Sequence, residues 1–295
     1  MILIADSGSS KCDWVLYDNI TNDLSRTRTK GLNPNILSGE KIAKLLCKNK
    51  ELSSIRKIVE KVYFYGAGCG TSKSQEKVKE VLNTHFSNAI TVIVKEDLMA
   101  AVLATTNEPA IIAILGTGSN CCYYDGKTIQ TKIPSLGYVI MDEASGNYFG
   151  KELLRSYYYN QLPFDLRVSL EQSFKLEPQR VLDKIYNSKY PNKYLASFAR
   201  FLILNVEHPF VIEMLRKGIK AFIQNHILMY SNEFKNVPIH FVGSIAYHTQ
   251  TIINEELEKF GLKAENFVRR PVESLIENIV EIENSIENKS KRITM

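Results

Sequence analysis

The sequence predicts an α/β protein of two domains built on a shared plan, and three observations lead there. Short apolar runs suited to strands alternate with segments of helical spacing through the first hundred residues. A Gly/Ser-rich interruption between two apolar runs occurs twice, as LIADSGSSKCDWVLYD near the N-terminus and as AIIAILGTGSNCCYYDGK at residues 110–127. The length, 295 residues, exceeds that of one typical domain. With 44% hydrophobic and 23% charged residues, the chain has the composition of an ordinary soluble globular protein and enough apolar side chains for a large core.

Taken in order, residues 2–5 and 12–17 read as strands. Residues 38–55 carry the helical spacing of Ile42, Leu45 and Leu46, with Ser38 suited to the N-cap. A strand over 62–68 ends in glycines, an amphipathic helix follows over 72–86, and the strand 89–97 ends on acids before a short helix, 98–105. A second unit opens at Ala110 with strand, Gly-Thr-Gly turn, strand, the turn Asp125-Gly126 and a third strand over 128–133. Residues 146–231 turn helical, NKYLASFARFLILNV and PFVIEMLRKGIKAFIQNHILMY reading as long core helices, with Pro209 in a first turn where it is tolerated. A strand at 237–244, a helix over 248–260 and a closing helix from Pro271 complete the chain. The domains are placed at 1–106 and 107–271.

Aligning Gly8 with Gly118 pairs Ser7 with Thr117, Ser9 with Ser119, Ser10 with Asn120 and Cys12 with Cys122. Such a repeat suggests duplication, although two unrelated Gly/Ser hairpins would also produce so short a match.

Several classes fall away. A net charge of +5, with scattered lysines and arginines balanced by 32 acids, leaves no nucleic-acid footprint. The five cysteines, odd in number and without a CxxC, suggest neither a disulfide framework nor zinc, and adjacent Cys121 and Cys122 should face opposite ways on a strand. No secretory signal or membrane-spanning run is read, so no membrane partner is expected, and the expected setting is a reducing cytoplasm.

Small residues in a tight turn let backbone N–H groups converge on an anion, and Ser and Thr hydroxyls add donors without bulk. Neither loop is a GxxxxGK[ST] or GxGxxG motif, and either alone would pass for a solvent-facing turn. Their surroundings add what phosphoryl transfer requires, carboxylates for a metal and for a proton. Asp6 closes the first strand, where it suits water-mediated Mg²⁺. Asp97 closes the strand TVIVKED, either as a general base or as a helix N-cap; Asp142 and Glu143 stand in the same ambiguity before a helix starting near Gly146.

These residues, with GLNPN (31–35), KEDLMAA (95–101), ILGTGSNCCYY, SLGYVIMDEASGNYFG (135–150) and FVGSIAYH (241–248), occur in the order and spacing of N-acetylglucosamine kinases. Over residues 2–248 the chain resembles these enzymes and the wider activator-type ATPase family of the actin and sugar-kinase superfamily. The resemblance implies two ribonuclease-H-like domains of actin/hexokinase type closing over ATP and sugar, with Mg²⁺ and a small-molecule sugar substrate, commonly as a homodimer. It implies that the closing helix, about 272–288, packs back on the first domain. It sets Ser10 and Thr117 at the ATP phosphates, and Gly243, Ser244 and Tyr247 at the nucleoside. Asp97 matches the aspartate that activates the sugar 6-hydroxyl. Asn35, Ser119, Asn120 and Asp142 match sugar-binding positions, as does the segment Ser135, Leu136, Gly137, Tyr138 and Val139. Glu143 and Ser145 receive no role.

Ser9-Ser10-Lys11 departs from the Gly-Thr-Arg or Gly-Thr-Lys of many relatives, and RFLILNVEH lacks the Ala/Gly-rich phrase often seen near the nucleotide. The expected activity is ATP-dependent phosphorylation of the 6-hydroxyl of an amino sugar, foremost N-acetylglucosamine. The alternatives are an ATPase that activates a partner enzyme, against which the absence of a cysteine in MDEASGN speaks, and a nucleotide- or sugar-binding regulator without kinase activity.

Overall fold

A computed structural model describes residues 1–8, 11–233, 235–272, 274–276 and 278. The described chain divides into two compact units, residues 1–105 together with those from Arg270 on, and Thr106–Arg269.

The first unit runs β1 (Ile2–Ser7), β2 (Lys11–Tyr17), β3 (Leu24–Lys30), α1 (Gly39–Lys48), α2 (Lys50–Ile55), β4 (Lys61–Gly66), α3 (Ser72–His85), β5 (Thr91–Glu96) and α4 (Asp97–Leu103). Its sheet has the order β3-β2-β1-β4-β5, with β1 antiparallel to β2 and parallel to β4. Side chains alternate across this sheet. Leu3 and Ala5, Val62 and Phe64, and Val92 and Val94 join Ile42, Leu46, Val78 and Leu82 of α1 and α3 in one core. Trp14 is fully buried there, its ring centroid 6.0 Å from that of Phe64 and 6.5 Å from that of Phe86. On the opposite face α4 packs against β1, β4 and β5, with Leu98, Ala101 and Val102 buried.

The second unit runs β6 (Ala110–Leu115), β7 (Ser119–Tyr124), β8 (Ile129–Gln130), α5 (Gly146–Tyr158), α6 (Phe164–Ser173), α7 (Pro178–Leu182), α8 (Pro191–Ser197), α9 (Ala199–Leu204), α10 (Pro209–Asn225), β9 (Ile239–Val242), α11 (Ser244–His248), α12 (Gln250–Glu258) and β10 (Ala264–Val268). Its sheet, β10-β9-β6-β7-β8, repeats the plan of the first: the opening strand is antiparallel to the second and parallel to the fourth. Both sheets thus have the ribonuclease-H-like order, and the α/β class expected from the sequence is what the chain forms. The core joins Ile111, Ala113, Leu115 and Cys121 of the sheet to Phe149 and Leu153 of α5 and to Leu215, Ile219 and Phe222 of α10. Cys122 stays outside that cluster, as its neighbour's opposite face requires. Among the described residues every cysteine is free, and no helix is long and apolar enough to cross a membrane.

Several boundaries differ from the sequence expectation. The helix over 38–55 breaks at Asn49, which ends α1 and caps α2 by accepting from the Leu52 N–H. NKYLASFARFLILNV splits into α8 and α9 at Phe198, and the strand expected over 128–133 shrinks to two residues. The strands β3 and β10 go unread because SRTRTK and AENFV lack apolar alternation. The two hairpins also align differently: Ser7 pairs with Cys12, whereas Leu115 pairs with Ser119, so the second loop is one residue shorter and Gly8 does not match Gly118 in register. Most of the closing helix expected at 272–288 lies outside the described residues; Val272, Leu275 and Ile276 are buried, and Asn278 donates to the Leu103 carbonyl of α4.

Because Trp14 is the only tryptophan, its emission reports on the first unit. Phe64→Ala removes its packing partner and should cost about 3–5 kcal/mol. Urea unfolding followed by Trp emission should then show a lower midpoint; an unchanged midpoint would remove Phe64 from the core.

Candidate functional site

In each unit the candidate residues, Ser135–Val139 excepted, stand at or near the carboxyl ends of the parallel strands, the end at which open α/β sheets present groups to ligands. In the first unit β1 ends with Asp6 and Ser7. Asp6 lies on the face opposite Leu3 and Ala5, beside Asp13 of β2. Ser7 is fully buried and is a structural tie: its Oγ accepts from the Leu32 N–H at 2.9 Å, fastening the GLNPN segment to the sheet, and its carbonyl accepts from Ala67. Within GLNPN, the Asn33 carboxamide oxygen accepts from the Asn35 N–H at 2.9 Å. Asn35 is exposed, its own side-chain oxygen accepting from Ser74 Oγ at 3.3 Å.

Asp97 is the first residue of α4, directly after β5. The N-cap position falls to Glu96, whose side chain makes no capping bond. Burial, and then the neighbouring Glu96 carboxylate, push the Asp97 carboxyl up to about 6, although the N–H groups of Asp97 and Leu98 favour its charged form. Asp6 is pushed up to about 7 by burial and then by the Asp97 and Asp13 carboxylates, against a lowering from Lys11. The two are therefore neighbours in one electrostatic cluster. Cys69, buried on the loop after β4, belongs to the same cluster, its thiol raised to about 12 by burial and then by Asp97 and Glu96. Neither Cys69 nor Glu96 was singled out from the sequence. The acid run KED was the signal for Glu96; for Cys69 there was none. Ser10 lies outside the described residues.

In the second unit the three residues between β6 and β7 form a stitched loop. Gly116 donates to the Gly118 carbonyl, while the Gly116 and Thr117 carbonyls accept from the N–H groups of Gly146 and Asn147, at 2.8 and 3.0 Å. Among the described residues, the Thr117 and Gly118 N–H groups and the exposed Thr117 hydroxyl have no hydrogen-bond partner, so adjacent donors stand open at the loop's tip. That is the composition of an anion nest. Gly243, at φ +115°, begins the turn into α11 directly over the end of β6; a Cβ there would lie 2.3 Å from the Leu115 carbonyl oxygen. Ser244 and Tyr247 follow, both exposed, and the Arg269 guanidinium lies 5.8 Å from the Tyr247 ring centroid. Arg269 carried no sequence signal.

Asp142 is buried and sits at φ +72°, uncommon outside glycine, with Ala144 at +58° in the same turn. Its Oδ1 accepts from the Ser119 N–H at 3.2 Å and its Oδ2 from Asn147 Nδ2 at 2.9 Å. Ser145, which had received no role, is the N-cap of α5, its Oγ accepting from the Tyr148 N–H. Glu143 turns to the end of α10, where it contacts Asn225 and His226, each at 3.3 Å. Ser119 Oγ is buried without a partner among the described residues, and the Asn120 carboxamide oxygen accepts from the Cys121 N–H.

Ser135–Val139 is a different environment. Ser135, Leu136 and Val139 are exposed, Gly137 turns the chain at φ +77°, and the Tyr138 carbonyl accepts from Lys151 Nζ. No hydrogen bond ties this segment to the Gly116–Gly118 loop among the described residues.

The residues present suit a bound divalent cation in one respect. Among the described residues no three His, Cys, Asp or Glu side chains group as a metal cage, but Asp6 is a single, partly buried carboxylate without a hydrogen-bond donor, as Mg²⁺ holding several waters requires.

No family model matches the chain, and no curated protein matches it. Among solved structures, the chain is similar to the putative N-acetylglucosamine kinase from Porphyromonas gingivalis, at 30% identity and TM-score 0.87, covering 94% of this chain and 98% of that one. A putative N-acetylglucosamine kinase from Chromobacterium violaceum matches at 12% identity and TM-score 0.69, over 94% of this chain and 98% of that one. The ROK family glucokinase from Streptomyces griseus, solved with glucose and AMPPNP, matches at 12% and 0.58, over 91% and 93%. These last two show a shared fold. The duplicated sheet order and the identity to the P. gingivalis protein over nearly the whole of both chains lead to one conclusion: this chain belongs to the sugar-kinase superfamily, in the family of that protein.

Proposed function

We propose that the protein transfers the γ-phosphoryl group of ATP to the 6-hydroxyl of an amino sugar, foremost N-acetylglucosamine. The observation that carries this reading is the 30% identity over 94% of the chain to the P. gingivalis protein, which is described as a putative N-acetylglucosamine kinase. The chemistry of the residues supports it.

In this reading the open Thr117 and Gly118 N–H groups and the Thr117 hydroxyl bind phosphate oxygens, with Ser10 adding a second hydroxyl. Ser244 and Tyr247 border the nucleoside. Asp97 accepts the proton of the sugar hydroxyl as it attacks the phosphorus; with its carboxyl near 6, it is ionised at neutral pH yet more basic than an ordinary aspartate. Asn35, Ser119, Asn120 and the Ser135–Val139 segment offer hydrogen-bonding groups to the sugar. Asp142, whose oxygens already bind Ser119 and Asn147, would contribute only its remaining lone pairs. Asp6 would hold Mg²⁺ through waters, and the bound cation would offset charge on the phosphate oxygens.

Purified protein with Mg²⁺-ATP should release ADP only when an N-acetylated amino sugar is added, among glucose, glucosamine, N-acetylglucosamine, N-acetylmannosamine and N-acetylmuramic acid. ADP release independent of every sugar would replace this reading with that of a partner-activating ATPase.

Asp97→Asn should lower kcat by about 10²–10⁴ with little change in ATP affinity. The wild-type rate should fall as pH drops through about 6, where Asp97 takes up its proton. A near-normal kcat in the variant would exclude Asp97 as the base.

The raised carboxyls also set a stability test. Folding raises the proton affinity of Asp6, so the stability it contributes is lost as pH rises from its ordinary value, 3.8, through about 7. Asp6→Asn should therefore raise the Tm at pH 8 in metal-free buffer and give little gain at pH 4. A lower Tm at pH 8 would contradict the burial of that charge.

A further inference from the structure

One buried side chain links the two halves of the second unit's candidate site; it closes the MDEASGN stretch, in which it received no role. Asn147, the second residue of α5, is 1% exposed. Its Nδ2 donates to Asp142 Oδ2 at 2.9 Å, its Oδ1 accepts from Ser145 Oγ at 3.0 Å, and its backbone N–H donates to the Thr117 carbonyl at 3.0 Å. A single residue therefore contacts the Gly116–Gly118 loop through its backbone and the Asp142 carboxylate through its side chain.

We propose that Asn147 is a positioning residue that locks Asp142 against the Gly116–Gly118 loop and so keeps that loop's open N–H groups in one arrangement. The loop is held from two sides. Asn147 and Gly146 donate to its first two carbonyls, and Asp142 accepts from the residue that follows it, Ser119. The second hold depends on the carboxylate's orientation. Asp142 stands at positive φ with its Oδ2 so close to Gly118 that a Cβ there would lie 2.9 Å away, so little room exists for a second rotamer on that side. The Asn147 amide fixes the same oxygen from the other side. It can do so in only one orientation, because a carboxylate oxygen only accepts and therefore requires the Asn147 nitrogen, which turns Asn147 Oδ1 toward Ser145 Oγ, whose single hydroxyl proton has the Asp142 carbonyl at 2.6 Å and Asn147 Oδ1 at 3.0 Å as acceptors. Buried hydrogen-bond networks of this kind restrict the conformations of the groups they join.

The geometric inference stands on hydrogen bonds within the second unit; only its kinetic consequence rests on the kinase reading. Two variants test it. Asn147→Asp keeps the shape but sets a carboxylate against a carboxylate, and Asn147→Ser removes the reach. Hydrogen exchange of the full chain, corrected for intrinsic rates, should accelerate about tenfold or more in both variants at the loop's bonded amides, Gly116 and Ser119, the latter losing its hold on a charged group. Exchange in α10 should stay as in the wild type. In turnover assays KM for ATP should rise about tenfold while kcat changes less.

Exchange at Gly116 and Ser119 that is unchanged in both variants, or that rises equally throughout the second unit, would overturn the proposal. If the exchange result appears while the wild-type chain phosphorylates none of the sugars, the kinase reading falls and the positioning role of Asn147 stands.

Discussion

A strand hydrogen-bonded antiparallel to one neighbour and parallel to the other imposes the constraint on which the rest depends. Both β1 and β6 are such strands. On one side each must reverse at once into the next strand, and on the other it must leave room at its carboxyl end for a chain arriving from a distant segment. Only small residues meet both demands. Where Gly116-Thr117-Gly118 makes the reversal, its backbone is close enough to be bonded by Gly146 and Asn147 and to pass beneath Gly243. The candidate phosphate loop is thus a consequence of the sheet's topology before it is a device for binding anything.

The first unit meets the same constraint with a different chemistry. Its central strand ends on Asp6 and Ser7, and the parallel strand at its edge runs into Glu96 and Asp97. Burial raises the proton affinity of Asp6, Asp97, Glu96 and the Cys69 thiol, and the Asp97 carboxylate raises that of Asp6 and Cys69 further. Such a cluster opposes folding at neutral pH and is compensated by the core beneath it, where Trp14, Phe64 and Phe86 pack. Polar groups held against their own preference are the usual signature of a site shaped for something other than stability.

Much of this was legible in the chain itself. The Gly/Ser turns, the acids at strand ends and the helix beginning at Gly146 all announced themselves through local rules of turn chemistry and capping. Other features were silent. Strand β3 is SRTRTK, polar on both faces because it is an edge, so its place in the sheet depends on pairing with β2 and not on hydrophobic pattern. Asn49 breaks one long amphipathic pattern into two helices by capping the second with its own side chain, which periodicity does not report. The alignment of the two loops by their glycines failed for a related reason: strand register, not residue type, decides which positions correspond.

By itself the sequence determined the alternation of strands and helices, the two interrupted hairpins and the carboxylates that stand beside them, because those follow from side-chain period, glycine's freedom and the preferences of helix ends. Only the tertiary structure decided what those carboxylates do. Asp97 and Asp142 look alike in sequence, each an acid before a helix. Folding leaves the first partly buried beside other acids, with its proton affinity raised, and spends the second on Ser119 and Asn147. The difference lies in neighbours that come from other strands and turns, and a carboxylate's chemistry is set by the charges and donors within a few ångströms of it, wherever in the chain they originate.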